Sequence, residues 1–386
     1  MPALAAAAPA PRTRSLRERW LAWRNGLVAT PAFQRWAAGF PLTRRIAQRN
    51  TRALFDLCAG FVYSQVLAAC VRLDLFHTLE KGPLPVADLA RLFAVPEERA
   101  LRLLKAAASL KLVTALPDGR FALADLGAAL VGNPSVAAMI EHHAMLYADL
   151  ADPVALLRGE TGTTRLCEYW LYADHARLGQ VQDGAVAAYS GLMSASQAFI
   201  AQDVLDAFPL DGHARLMDVG GGEGAFVEAA ARRHPSLRLM LFDLPPVAQR
   251  AERRLAAQGL SGRVACLGGS FHEGTLPRGA DIVSLVRIVH DHDDATVEAL
   301  LRAAHAALPP GGTLLIAEPM AGTPGAEPIG DAYFGFYLLA MGSGRARTGS
   351  ELRSMLSAAG FAAIREIPTR RPLLTRLLVA RRCEKV

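Results

Sequence analysis

Leu216-Met-Asp-Val-Gly-Gly-Gly-Glu-Gly-Ala-Phe226 runs from an unbroken apolar segment directly into four glycines, and the next apolar segment, Leu239-Met-Leu-Phe-Asp243, ends on an acid. Buried parallel strands have this form, apolar on both faces with the ligand-binding residue released at the carboxyl end. Glycines 220, 221, 222 and 224 leave the backbone open to a ligand, and a carboxylate at the tip of the following strand accepts both hydroxyls of a ribose. The pattern predicts an α/β fold with a nucleoside-cofactor site.

Gly220-x-Gly222-x-x-Ala225 also fits the dinucleotide fingerprint, so NAD(P) and a purely structural glycine turn stand as alternatives to S-adenosylmethionine (AdoMet). AdoMet is favoured because Asp218, just ahead of the glycines, would repel a pyrophosphate, yet suits the loop or the cofactor's ammonium group. A third apolar strand, Ala280 to Val286, leads into Arg287-Ile-Val-His-Asp-His-Asp-Asp294, a catalytic rather than a redox constellation. A Pro/Gly turn then feeds a fourth strand ending at Glu318.

With 386 residues the chain has room for two or three domains. At 52% apolar residues it is rich, which predicts a large apolar pocket, an apolar subunit interface or membrane contact. No apolar run approaches a spanning length, since Cys58 to Val71 is short and carries Ser64 and Gln65, so an integral membrane protein is not expected. Five scattered cysteines without a Cys-x-x-Cys pair read as reduced, mostly buried thiols of a cytoplasmic protein, and no metal site is implied.

The net charge of +6 conceals an asymmetry: residues 1–52 hold ten arginines against one acid, Glu18, and carry +9, leaving −3 on the rest. Met1 to Pro11 is Ala/Pro-rich and predicted to be disordered. Leu16, Trp20, Trp23 and Leu27 then recur at helical spacing among arginines, the composition of a peripheral anchor on a membrane surface; an arm packed on protein is the equal alternative. An Arg-rich start also resembles an organellar transit peptide, but only four lysines occur in the whole chain, so the bias extends beyond the arm.

Residues 53–135 read as helices followed by a small hairpin around Asp118-Gly119, the order of a winged helix. The helix pair there, Val86 to Ser109, mixes Arg91, Arg99, Arg102 and Lys105 with Asp88, Glu97 and Glu98, so no basic stripe for nucleic acid is present. Residues 136–205 form a helical block with large side chains, of which Met145, Tyr189 and Met193 are assigned to a substrate pocket together with Phe334, Tyr337 and Met341. Residues 206–386 complete the cofactor domain. His290, just beyond a buried strand, suits proton removal from a hydroxyl near neutral pH, with Asp291 fixing the local turn.

Asp-Val-Gly-Gly-Gly-Glu-Gly, Asp243, Arg287-Ile-Val-His-Asp, Pro-Pro-Gly-Gly and Arg347-Thr-Gly-Ser-Glu-Leu resemble, in order and spacing, the large metal-independent AdoMet-dependent O-methyltransferases. The resemblance covers roughly residues 53 to 370. It implies a Rossmann-like AdoMet-dependent methyltransferase domain behind an N-terminal winged-helix dimerisation domain, and a homodimer. It also implies that Gly220 and Gly222 line the cofactor, Asp243 holds its ribose, Gly269, Ser270 and Phe271 face the adenine, Arg287 packs on the cofactor, His290 is the base and Glu318 steadies that histidine. This sequence departs from the family at Ser270 (usually Asp), His292 (usually Trp) and Ala346 (usually a second catalytic-site Glu). Within the family, the Arg/Trp-rich extension, Leu54 to Gln65 and Leu339 to Thr348 resemble the bacterial branch that methylates the tertiary hydroxyl of acyclic carotenoids such as demethylspheroidene and hydroxyneurosporene. The branch implies a hydroxylated apolar acceptor in carotenoid biosynthesis, with an aromatic or polyketide phenol as the alternative and an inactive AdoMet-binding member as the distant one.

Overall fold

The computed structural model describes residues 15–170, 197 and 199–383. The Ala/Pro-rich start and the pocket candidates Tyr189 and Met193 lie outside the described residues. The chain divides into two compact units, residues 1–127 and 128–386.

The first unit opens with α1 (Leu16–Val28), whose start is fixed by a capping box between Ser15 and Glu18. Short turns lead to α2 (Pro31–Gly39) and α3 (Pro41–Arg72), each begun by a proline that needs no hydrogen-bond partner at a helix start. The 52/53 boundary expected between arm and domain falls inside α3, a continuous helix of 32 residues. That helix also corrects the expectation about apolar length. An 18-residue window within it reaches a mean hydropathy of 1.7, and the helix is long and apolar enough to cross a membrane by length and composition, because Asp56, Ser64 and Gln65 are too isolated to lower the average.

After α4 (Leu75–Glu80) come β1 (Leu84–Pro85), the pair α5 (Val86–Phe93) and α6 (Glu97–Ser109), and the hairpin β2 (Val113–Ala115) and β3 (Arg120–Leu123). The strands form a small antiparallel sheet in the order β1-β3-β2, so helix pair and wing stand as read. Leu89, Leu104 and Phe121 are buried within this unit. α7 (Asp125–Val131) then leads out of it.

The second unit begins with α8 (Pro134–Asp149), α9 (Pro153–Arg158) and α10 (Arg165–Tyr169). An alternation of strand and helix follows: β4 (Arg215–Val219), α11 (Ala225–Arg233), β5 (Arg238–Asp243), α12 (Pro245–Ala257), β6 (Val264–Gly268), β7 (Ile282–Val286), α13 (Asp294–Ala307) and β8 (Thr313–Glu318). Helix α14 (Phe334–Met341), helix α15 (Gly349–Ala358) and the hairpin β9 (Phe361–Ile367) and β10 (Arg376–Arg382) close the chain.

The sheet has the order β6-β5-β4-β7-β8-β10-β9; its first five strands are parallel and β10 runs antiparallel to both neighbours. All five residues of β7 and all six of β8 are buried, as the unbroken apolar runs demand of strands covered on both faces. Separate apolar clusters cover the two faces, one around Met217, Val283 and Leu301, the other around Leu216, Phe226 and Leu241. Each such aliphatic side chain contributes about 1.5–3 kcal/mol of burial. All five cysteines are free, but only Cys70 is buried; Cys58 and Cys383 are exposed, against the expectation of mostly buried thiols.

Candidate active site

The parallel strands release their functional residues at one edge. There a cavity of about 380 Å³ is lined by the glycine loop, Asp243, Gly269 to His272, Arg287, His290 to His292 and one face of α14. The loop follows β4 as predicted. Gly222 has φ +57° and no atom within 4 Å of where a Cβ would stand, so the backbone faces open space. At the tip of β5, Asp243 accepts the Gly222 N–H at 2.8 Å and the Leu244 N–H at 2.7 Å. Burial pushes its carboxyl up to about 6, although these N–H groups and Arg250 pull the other way. Each oxygen keeps lone-pair capacity for a ribose hydroxyl. The amide oxygen of Gln197 is buried in the same lining and has no hydrogen-bond partner among the described residues. An unspent acceptor beside an open glycine backbone and a carboxylate fits a cationic nucleoside such as AdoMet.

Gly220, Gly222, Asp243, Gly269, Ser270, Phe271 and Arg287 are thus brought together. Asp218 is not. It lies beneath the loop, 1% exposed, bonded by the Ser284 hydroxyl at 2.6 Å, and it does not line the cavity. Its strand position turns it towards β7, and burial pushes its carboxyl up to about 7. Among the pocket candidates Phe334, Tyr337 and Met341 line the cavity, whereas Met145 packs into the apolar cluster of α8, α10 and α14, because its helical position turns it away. Ser270 accepts from the His272 N–H at 3.3 Å and so caps the turn after β6. Phe271 stacks on His272 and stands edge-on to His292.

His290 sits in a 3₁₀ turn, Val289–Asp291, directly after β7. Its Nδ1 lies 2.5 Å from a carboxylate oxygen of Glu318 at the end of β8, and its Nε2 lies 3.2 Å from Asp291. The other Glu318 oxygen accepts the backbone N–H groups of Ile288 and Val289 at 2.9 and 2.7 Å. One carboxylate therefore orients both the ring and its backbone. Burial alone would depress the imidazole, but the Asp291 and Glu318 charges outweigh it, and the net direction is up. Burial raises the Asp291 carboxyl as well, against the pull of His290. Arg287, two residues ahead of the turn, adopts φ +56°, a left-handed conformation costing about 1–2 kcal/mol for a residue with a Cβ.

Arg347 was read only as part of a motif, and its role was missed. It is 2% exposed and donates to the carbonyls of Val289 and His292, both at 2.8 Å, and to Asp294 at 2.6 Å. Its guanidinium thereby spans the catalytic turn from either side. Gly344 presses on the same turn, since a Cβ there would come within 2.2 Å of the His290 carbonyl oxygen. Two tyrosine–histidine pairs, Tyr337 with His142 and Tyr333 with His143, each at 2.8 Å, were also missed. Their partners lie about 190 positions apart along the chain, and only the fold brings them together.

Comparison with known proteins assigns residues 147–362 to an O-methyltransferase domain and residues 55–133 to an O-methyltransferase dimerisation domain. The chain is 45% identical over 356 residues to a demethylspheroidene O-methyltransferase of Cereibacter sphaeroides, covering 92% of this chain and 93% of that protein. It is 43% identical to the protein of that description from Rhodobacter capsulatus, over 89% of this chain and 85% of the relative. An acetylserotonin O-methyltransferase of Mus musculus is 32% identical over 82% of this chain and 85% of its own. Among solved structures, CalO1, a methyltransferase in calicheamicin biosynthesis in its SAH-bound form, matches with a TM-score of 0.73 at 25% identity, over 87% of this chain and 99% of that one.

Proposed function

The chain belongs to the AdoMet-dependent O-methyltransferase family that carries its own dimerisation domain, and from that premise we propose that it methylates the tertiary hydroxyl of an acyclic carotenoid of the demethylspheroidene or hydroxyneurosporene type. The observation that carries the reading is His290, its Nδ1 fixed on Glu318, facing the same cavity as the glycine loop and Asp243. The two relatives with greatest identity among those described support the carotenoid, and the apolar lining from α14 suits a polyene.

AdoMet, when bound, supplies an electrophilic methyl group. Gly220, Gly222 and Asp243 hold its nucleoside and amino-acid parts, Gly269 to Phe271 and Arg287 flank it, and the Gln197 amide oxygen takes one of its donors. The remaining work belongs to the protein. The acceptor oxygen must be aligned with that methyl group, and its proton passes to Nε2 of His290 as the new C–O bond forms and the methyl–sulfur bond breaks, which would leave S-adenosylhomocysteine. Glu318 keeps the Nδ1 proton in place and stabilises the imidazolium; Asp291 offers that proton a carboxylate 3.2 Å away. A tertiary alcohol is weakly acidic, so alignment contributes more than basicity.

The protein acts as a homodimer through residues 55–133, and the exposed Leu54, Phe55, Leu57 and Phe61 of α3 are the surface a second copy would cover. The basic arm is read as a peripheral contact with the cytoplasmic face of the inner membrane, where a polyene acceptor dissolves. Mass spectrometry of products formed from AdoMet and either a carotenoid tertiary alcohol or a panel of phenols tests the assignment. A methylated carotenoid is expected; methylation of phenols alone would overturn the acceptor, and no methylation of any hydroxyl would overturn the activity.

A further inference from the structure

Among the described residues, Tyr333 and Tyr337 line the cavity on the side of α14. These residues stand one helical turn apart, with rings stacked at 5.8 Å between centroids. Each hydroxyl is 2.8 Å from Nε2 of one of two consecutive histidines on α8, Tyr337 with His142 and Tyr333 with His143. Burial holds both imidazoles below their ordinary range, His142 down to about 4, so both are neutral near pH 7. Burial likewise pushes the Tyr333 phenol up to about 12 and raises Tyr337 further, keeping both protonated. Phe334, on the same helix, stands edge-on to the His290 ring at 5.6 Å between centroids, and His290 and Tyr337 line the same cavity.

Resting on the methyl-transfer reading above, we propose that Tyr337, held by His142, is a positioning residue that donates its O–H to the acceptor hydroxyl oxygen, with the Tyr333–His143 pair stacked beside it as support. A neutral imidazole carries one N–H; placed on Nε2, it donates to the phenol oxygen and leaves the phenol O–H free to point into the cavity. A tertiary alcohol oxygen has four directions. One is its bond to carbon, one its O–H aimed at His290, and two are lone pairs. A donor on one lone pair leaves the other as the only one available to the methyl group, so a single hydrogen bond sets the direction of attack. For an acceptor whose basicity gains little from His290, that directional control is what the site can add.

The test uses the full-length dimer loaded with S-adenosylhomocysteine, an acceptor that the methylation assay identifies, and that acceptor's deoxy counterpart. Binding is read by tryptophan fluorescence. Tyr337→Phe preserves shape and should retain deoxy-acceptor affinity, with a lowered melting temperature because the buried His142 loses its partner. It should bind the hydroxylated acceptor about tenfold more weakly, the loss of roughly one neutral hydrogen bond, with a matching fall in kcat/KM. His142→Gln, which keeps an amide N–H near the Nε2 position, should retain most of the discrimination, whereas His142→Phe should lose it. Equal hydroxyl discrimination by Tyr337→Phe and the wild type would overturn the proposal, as would equal weakening for both ligands, which marks a role in shape alone. Failure of the carotenoid assignment is read separately, as absence of methylated carotenoid from the wild type.

Discussion

At the scale of single residues, the two carboxylates around His290 make a prediction with a definite sign. They raise its imidazole above the ordinary value of about 6.5 despite burial. Only the neutral ring accepts a proton, so turnover should climb with pH through a midpoint above that value. Asp291→Asn removes one raising charge and should move the midpoint down; a pH–rate profile with an unmoved midpoint would detach Asp291 from the titration. His290→Ala should lower turnover by about 10²- to 10⁴-fold, the usual worth of a general base, with AdoMet affinity retained by calorimetry. Asp243→Ala should instead weaken AdoMet by about 2–3 kcal/mol, the worth of hydrogen bonds to a charged acceptor, and an unchanged affinity would take it out of the site. Both residues were legible because Asp243 ends a buried strand and His290 lies in the turn that follows one, so position along the chain gives position at the sheet edge. Asp218 was misread for the same reason: strand side chains alternate, and one residue further back points beneath the loop rather than out of it.

Among the elements, the alternating strands and helices of the second unit followed from unbroken apolar runs, whereas what locks the catalytic turn did not. Arg347 and Gly344 lie more than fifty positions from His290, in a segment whose composition gives no sign that it reaches back across the sheet edge. Arg347→Met would leave the Val289 and His292 carbonyls without their donor, at about 1–3 kcal/mol for buried groups so stranded. A lower melting temperature should accompany turnover falling further than AdoMet affinity, and equal loss of both would show that the residue serves the fold alone. Gly344→Ala combines φ +84° with a 2.2 Å approach to the His290 carbonyl and should displace the same turn. The continuity of α3 across residue 52 was similarly hidden. A change of composition at residue 52 suggested a boundary, but helix propensity and the absence of a breaker carry α3 through it.

For the whole molecule, the proposed membrane contact rests on charge and apolar surface together. The first 52 residues carry ten arginines and three tryptophans. On α1, Trp20 and Trp23 are 53% and 65% exposed, and Leu16 on the same face is 83% exposed. Such a surface attracts anionic headgroups by about 1 kcal/mol per basic residue close to the bilayer, while indoles settle at the interface. Only part of that attraction survives physiological salt, where the Debye length is about 8 Å. Binding should therefore be reversible, salt-sensitive and dependent on anionic lipid. Because Ala53 lies within α3, truncation there would cut a helix, and substitution is the cleaner comparison. Flotation of the full chain with phosphatidylglycerol-containing vesicles should exceed that of a Trp20→Ser, Trp23→Ser variant and collapse in high salt. Equal flotation of both proteins, or of neither, would assign α1 to contact with protein, and the apolar acceptor would then have to reach the cavity by another route.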